Sequence, residues 1–251
     1  MKRSSYVATA AIAATITAVA NAGMVQTIDF DDLGHGQIID NEYAAQGVTI
    51  SAMNFSNGPD LAVAFDTDII GSTSDPDLQF NGGWAGGNIA DQSAGRILII
   101  QENNNGNDGD FVSDPDDEGS RPAGKVVFEF DKAITSLGFD LIDFEDGETI
   151  DSTVVSIFNG LEQRTIDFSS FDDPGLFNVP GFDPGNRHAN NVPLIDLVAL
   201  GLTDGATRVE FNFGGSMGID NVQFIAVPTP TAAAAGLIGL GLLAARRRRD
   251  A

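Results

Sequence analysis

Carboxylates are the residues of this 251-residue chain whose spacing could do chemistry. Three acidic clusters adjoin candidate strand ends: Asp29-Phe30-Asp31-Asp32, Asp75-Pro76-Asp77 and Asp114-Pro115-Asp116-Asp117-Glu118. Asp140, Asp143, Glu145 and Asp146 form a looser fourth, and Asp220 follows Gly218-Ile219 in the last apolar run before the tail. Calcium takes about six to eight oxygens from carboxylates and backbone carbonyls on loops that wrap it, and the short Asp side chain suits that role. None of the clusters has the EF-hand spacing. They read either as solvated acidic loops or as structural calcium sites. Paired carboxylates for glycoside hydrolysis carry no separate signal, because among so many acids some pair always falls at a workable distance.

Other chemistry has less material. His35 and His188 are the two histidines, in Gly34-His35-Gly36 and Asn186-Arg187-His188-Ala189. Neither belongs to a His-x-x-x-His zinc pair or accompanies a Gly-x-Ser-x-Gly elbow. Both read as solvated loop residues. The chain has no cysteine, which excludes thiol chemistry and Cys-ligated metals and leaves stability to a hydrophobic core. The single Trp84 sits in the glycine loop Asn81-Gly82-Gly83-Trp84-Ala85-Gly86-Gly87. There it is either a ligand-binding platform for a sugar ring or a side chain tucked back over a sheet.

The elements that must position these groups are strands. Gln26-Thr27-Ile28-Asp29-Phe30, Gly47-Val48-Thr49-Ile50-Ser51 and Lys125-Val126-Val127-Phe128-Glu129-Phe130 alternate polar with apolar residues. So do Ser136-Leu137-Gly138-Phe139-Asp140-Leu141, Thr153-Val154-Val155-Ser156-Ile157-Phe158, Arg208-Val209-Glu210-Phe211-Asn212-Phe213 and Asp220-Asn221-Val222-Gln223-Phe224. Ile97-Leu98-Ile99-Ile100 is a continuous apolar run and predicts a central strand buried on both faces. Asn159-Gly160 is a hairpin-turn signal. Residues 103–124 read as a long loop, and only residues 194–200 look helical. Many short strands with Gly, Asn and Asp turns predict an all-β fold, an antiparallel jelly-roll-like β-sandwich.

Both ends differ from the middle. Lys2 and Arg3, an apolar run over residues 6–19 and the small-x-small site Ala20-Asn21-Ala22 predict a signal peptide over residues 1–22, cut by signal peptidase. The β-sandwich domain then covers residues 23–226. Residues 227–251 open with Val227-Pro228-Thr229-Pro230 and continue as a small-and-apolar stretch over residues 232–245. They end on Arg246, Arg247, Arg248 and Arg249. Prolines cannot extend a strand or helix. The apolar stretch predicts a short hydrophobic helix, below the ~20 residues that span a bilayer core. The arginines resist translocation. Of 13 Lys and Arg, two lie in the first three residues and four in the last six, and of 36 acids only Asp250 falls in these ends. The middle therefore carries a formal charge of −28. That excludes general nucleic-acid binding, which needs Lys and Arg to neutralise phosphate.

This tail resembles the PEP-CTERM sorting signal of Gram-negative and related bacteria: a Pro motif, a short hydrophobic segment and a terminal Arg cluster. Thr229 stands where that signal most often has Glu. The resemblance implies recognition by an exosortase, a membrane transpeptidase-like protease, with cleavage near the Pro motif. Transient inner-membrane anchoring would be followed by transfer to the cell surface or an extracellular polysaccharide matrix. Asp75-Pro76-Asp77-Leu78, Gly95-Arg96-Ile97-Leu98-Ile99-Ile100-Gln101-Glu102, Pro115-Asp116-Asp117-Glu118 and Val126-Val127-Phe128-Glu129-Phe130 look like an ordered block met in many PEP-CTERM surface proteins. Met217-Gly218-Ile219-Asp220-Asn221-Val222-Gln223-Phe224 looks like the closing strand of such sandwiches and of carbohydrate-binding modules. In those modules an acid near the first strand and an Asp in the last often share a structural calcium. Carried over residue by residue, this implies Asp29 or Asp31 together with Asp220.

The function expected from these readings is that of an exported, non-enzymatic envelope or matrix protein that binds carbohydrate or another polymer and holds structural calcium. The alternatives are a secreted glycoside or ester hydrolase using paired carboxylates, and a purely structural acidic matrix component.

Overall fold

The computed structural model of the chain describes residues 23–69, 71, 75–104, 108–145 and 153–227. The expected signal-peptide site at Ala20 and Ala22 lies outside the described residues, as does the tail from Pro228 onward, with Thr229, Pro230 and the four arginines. Among the described residues there is no α-helix, only three short 3-10 turns, and no helix is long and apolar enough to cross a membrane.

Gly23–Val227 forms one compact unit of eleven strands. They are Val25–Ile28 (β1), Ile38–Ile39 (β2), Val48–Asn54 (β3), Ala62–Asp66 (β4), Arg96–Ile100 (β5) and Gly124–Ile142 (β6). Val154–Asn159 (β7), Glu162–Asp167 (β8), Ala189–Asp196 (β9), Ala206–Phe213 (β10) and Gly218–Ala226 (β11) complete the set. All strand pairings are antiparallel, in the order β2-β4-β5-β11-β6-β10-β7-β8, with β1 also on β11 and β3 and β9 also on β6. The fold is thus all-β and sandwich-like, a single sheet that doubles over on itself.

The 19-residue β6 makes the doubling possible. Its first part pairs with β3 and β10, for example Phe128 with Ile50 and Val209. Its second part pairs with β11 and β9, for example Leu141 with Ile219 and Asn190. Core-facing residues are even-numbered in the first part (Val126, Phe128, Phe130) and odd-numbered in the second (Leu137, Phe139, Leu141). A strand cannot change the parity of its buried face without an extra residue. Thr135 is that residue: β11 pairs Ala226 with Ile134 and Ile225 with Ser136. The sequence reading divided this strand in two because the alternation breaks at the bulge.

The main core lies between the halves. Phe211 of β10 meets Phe128 edge-on at 5.6 Å and Phe139 at 4.9 Å, joining the two parts of β6. Each buried side chain of this size contributes ~1.5–3 kcal/mol. A second apolar cluster covers the opposite face of β4 and β5, where Val63, Phe65, Ile97 and Ile99 pack under Leu78, Trp84, Ala94 and Val112. Leu98 and Ile100 face the main core, so β5 is buried on both sides, as its unbroken apolar run predicts.

The hairpin expected at Asn159-Gly160 joins β7 to β8, with Gly160 at φ +59. The helix expected over residues 194–200 is absent. Pro193 and Ile195 belong to β9, and Asp196 Oδ1 accepts from the Val198 and Ala199 amides to start a turn instead.

Candidate functional site

Asp220 on β11 and Asp140 on β6 lie directly opposite each other, and Asn191 on β9 is opposite Asp140 on its other side. This row faces away from the main core, toward the second cluster, so the covering loops bury it. Asp220 is 1% exposed and Asp140 5%. Asn191 Nδ2 donates to Asp140 Oδ1 at 2.6 Å. Asn221 Nδ2 donates to Asp140 Oδ2 at 2.8 Å and to Asp220 Oδ2 at 3.0 Å. Asp220 Oδ1 is buried without a hydrogen-bond partner. Burial, followed by the charges of Asp140, Asp31 and Asp29, pushes the Asp220 carboxyl up to about 9. Burial raises Asp140 as well, against the two amide donors.

Asp29 and Asp31 reach this place because β1 pairs with β11, Ile28 lying opposite Val222. Both are exposed. Asp31 Oδ1 accepts from the Arg96 amide at 3.0 Å, and Asp29 Oδ1 from the Asp31 amide at 3.3 Å. The expected trio is therefore brought to one region, two acids at the surface and one below. Among the described residues, however, no three His, Asp or Glu side chains are gathered closely enough to hold a metal ion.

Trp84 is no ligand platform. It is 6% exposed, its Nε1 donates to the Gln92 carbonyl at 2.9 Å, and its ring meets Phe80 edge-on at 5.8 Å. A sugar needs a free ring face, and this ring is spent on the second apolar cluster.

Two further carboxyl groupings emerge from long-range packing. Asp75 and Asp117, 42 residues apart, are both buried, and Asp75 Oδ2 accepts from the Asp117 amide at 2.9 Å. Ser216 Oγ donates to Asp117 Oδ2 at 2.6 Å. Burial and then the Asp117 charge push Asp75 up to about 10, and burial raises Asp117 as well, so the pair shares a proton. Asp143, buried and at φ +62, accepts from the Arg187 amide at 2.5 Å and is pushed up to about 8 by burial. Nearby, a cleft of about 460 Å³ is lined by Ser56, Asn57, Glu102, Asn103, Glu118 and Ser120, among others. A hydrogen bond shared with Asp116, then burial, raises Glu102 to about 7. Glu118 is 3% exposed and accepts from Asn54 Nδ2 at 2.7 Å and the Ser120 amide at 2.8 Å.

The histidines are not solvated loop residues. His35 Nδ1 accepts from the Asp66 amide at 3.0 Å and its ring packs on Phe65, and burial lowers its pKa. The His188 side chain is 19% exposed and its Nδ1 contacts Asp183. Sequence reasoning missed His188, because both its partners and its cover come from folding. One signal was present, an Asp-Pro dipeptide five residues upstream. No match to the chain was found among protein-family models, characterised proteins or solved structures.

Proposed function

We propose that this chain is an exported, exosortase-processed, non-enzymatic component of the cell envelope or extracellular matrix. Its domain is a jelly-roll-like sandwich with structural calcium held by Asp220, Asp29 or Asp31, and Asp140. The observation that carries the proposal is the partnerless, buried Oδ1 of Asp220, which feels the charges of Asp140, Asp31 and Asp29. A buried polar atom without a partner costs ~1–3 kcal/mol, and a hard cation that takes oxygen ligands would satisfy it. The export part rests on the residues of the two ends. Polymer binding belongs to the same proposal and does not use Trp84. It is supported by the outward row Thr49, Glu129, Arg208, Phe158 and Gln163, which mixes hydroxyl, amide, ion-pair and aromatic groups across five strands. A glycan array tests it.

Calcium is expected to raise the melting temperature over a saline background that already screens the surface charge, with a Debye length of ~10 Å at 0.1 M. Ligand that binds only the native state stabilises it by ~2.7 kcal/mol at a hundredfold excess over Kd. Asp220→Asn should remove this increment and keep the response to sodium chloride. An equal calcium response in both proteins would eliminate the site. For sorting, deletion of Arg246, Arg247, Arg248 and Arg249 should leave export intact and spoil processing. Identical mature mass and location with and without them would sink that part.

One observation favours a second reading, a glycoside hydrolase. The cleft is lined by Glu102, raised to about 7, and by the buried Glu118, and two carboxyl groups in one cleft, one of them raised, are what that chemistry uses. Release of reducing sugar by the wild type, lost in Glu102→Gln, would establish it.

A further inference from the structure

Four Asp-Pro bonds occur in the chain: Asp75-Pro76, Asp114-Pro115, Asp173-Pro174 and Asp183-Pro184. This is the weakest kind of peptide bond. The aspartate carboxylate can attack its own backbone carbonyl through a five-membered ring, and proline's basic nitrogen leaves readily. Ordinarily the reaction needs strong acid, which protonates the carbonyl oxygen or the nitrogen.

At Asp183 the fold supplies that assistance. The Asp183 carbonyl oxygen receives two side-chain donors, His188 Nδ1 at 2.9 Å and Asn190 Nδ2 at 2.9 Å. Because the acceptor is a carbonyl, Nδ1 must be the ring nitrogen that carries the hydrogen. The same Nδ1 lies 3.3 Å from Asp183 Oδ2. One imidazole thus holds the carboxylate alongside the carbonyl it would attack. Asn190, fully buried on β9, also accepts the Asp183 amide on its Oδ1 at 2.8 Å, which clamps both sides of this residue. The ring itself is boxed in: a Cβ on Gly86 would come within 2.5 Å of it and one on Gly185 within 2.8 Å. The Asp183 side chain is 62% exposed, so water reaches it. Asp173 offers a comparison. Its carbonyl accepts from the Leu176 and Asn178 amides, but its Oδ1 is engaged by the Gly175 amide at 2.7 Å.

We propose that the domain cleaves itself between Asp183 and Pro184, with Asp183 as the nucleophile and His188 and Asn190 as the groups that stabilise the developing oxyanion. Asp183 Oδ2 forms a bond to its own carbonyl carbon. The carbon–nitrogen bond breaks, and the Pro184 nitrogen leaves as a secondary amine, taking a proton from water, which reaches this exposed residue. The hydroxide left behind opens the cyclic anhydride on Asp183 to one carboxylate and one carboxylic acid. The net change is addition of one water across one peptide bond. Positioning of the reacting groups and preorganised donors are the two large sources of rate in such a step. After the cut, β9, β10 and β11 stay paired with β6, so the two pieces remain one folded body until denatured.

The test is incubation of the purified full-length chain at mildly acid to neutral pH, followed by denaturing electrophoresis and intact mass measurement. The expected result is two chains, one ending at Asp183 and one beginning at Pro184, formed at a rate independent of protein concentration. Asp183→Asn and Asp183→Glu should abolish the cut, and both leave an exposed side chain that the fold tolerates. His188→Ala should slow it about a hundredfold, the usual size of the loss when one oxyanion donor is removed. The other three Asp-Pro bonds are internal controls. No fragment from the wild type, cutting at all four bonds alike, or an unchanged rate in Asp183→Asn or His188→Ala would each overturn the proposal.

Discussion

Truncating Phe139 to alanine is expected to cost the domain ~3–5 kcal/mol, the range for emptying a large aromatic from a closed core. Phe139 is fully buried on the second part of β6. Its ring meets Phe211 at 4.9 Å, Phe171 at 5.8 Å and Phe168 at 6.1 Å. It therefore touches the other half of the sheet and the short turn after β8 at once, and the hole cannot close by moving one neighbour. For a domain of this size the melting temperature should fall by roughly 10 °C. Phe139→Leu, which keeps most of the volume, should cost ~1 kcal/mol. Urea unfolding checks this, since a lower midpoint with an unchanged slope reports stability alone. Equal stabilities for the alanine and leucine variants would show that the aromatic junction does not bind the two halves.

Asp75→Asn should stabilise the domain at neutral and alkaline pH and flatten its decline with pH, when measured in chelator. The folded Asp75 is pushed up to about 10, whereas an unfolded aspartate titrates near ~3.9. The stability this group contributes is fully present below the unfolded value. It is lost as pH rises from there through the folded value, because only the unfolded chain can release the proton in that window. One such group has a ceiling of ~1.4 kcal/mol per pH unit, or roughly 3–5 °C in melting temperature. Asparagine imitates the protonated acid: its oxygen can accept the Asp117 amide as Asp75 Oδ2 does, and its NH₂ can donate to the Asp117 carboxylate. Asp143 and Asp220 are raised too, so a residual slope should remain. Melting curves across pH that run parallel for wild type and Asp75→Asn would refute the shared proton.

The all-β class and most strands were legible because alternation reports directly on a half-buried strand. Ile97-Leu98-Ile99-Ile100 even reported burial on both faces. Reading failed where a second layer of cover intervenes. Asp140 and Asp220 sit at the parity that normally faces solvent, and nothing local shows that the loop carrying Trp84 and Ala94 closes over that face. β9 escaped notice because Asn190, Asn191 and Pro193 suppress its pattern. Those amides are there for other reasons, one to hold Asp183 and the other Asp140. The pairing of Asp75 with Asp117 and of Asp183 with His188 depends on the path of loops, which periodicity does not encode.

The pairing of β1 with β11 has a mechanical consequence. Val25 lies opposite Ile225, so the chain enters and leaves the domain at the same end of one ladder. A pull applied between the two ends loads the Val25–Ile225 pair first and the Ile28–Val222 pair last. The hydrogen bonds of an antiparallel pair lie across the strands, so in this geometry they break one after another, as in peeling, and not together, as in shear. β1 should detach at low force while the aromatic core still bears none of it. Its departure carries Asp29 and Asp31 away from Asp220. Tension on the ends of this domain would therefore dismantle the proposed cation site before it unfolds anything else.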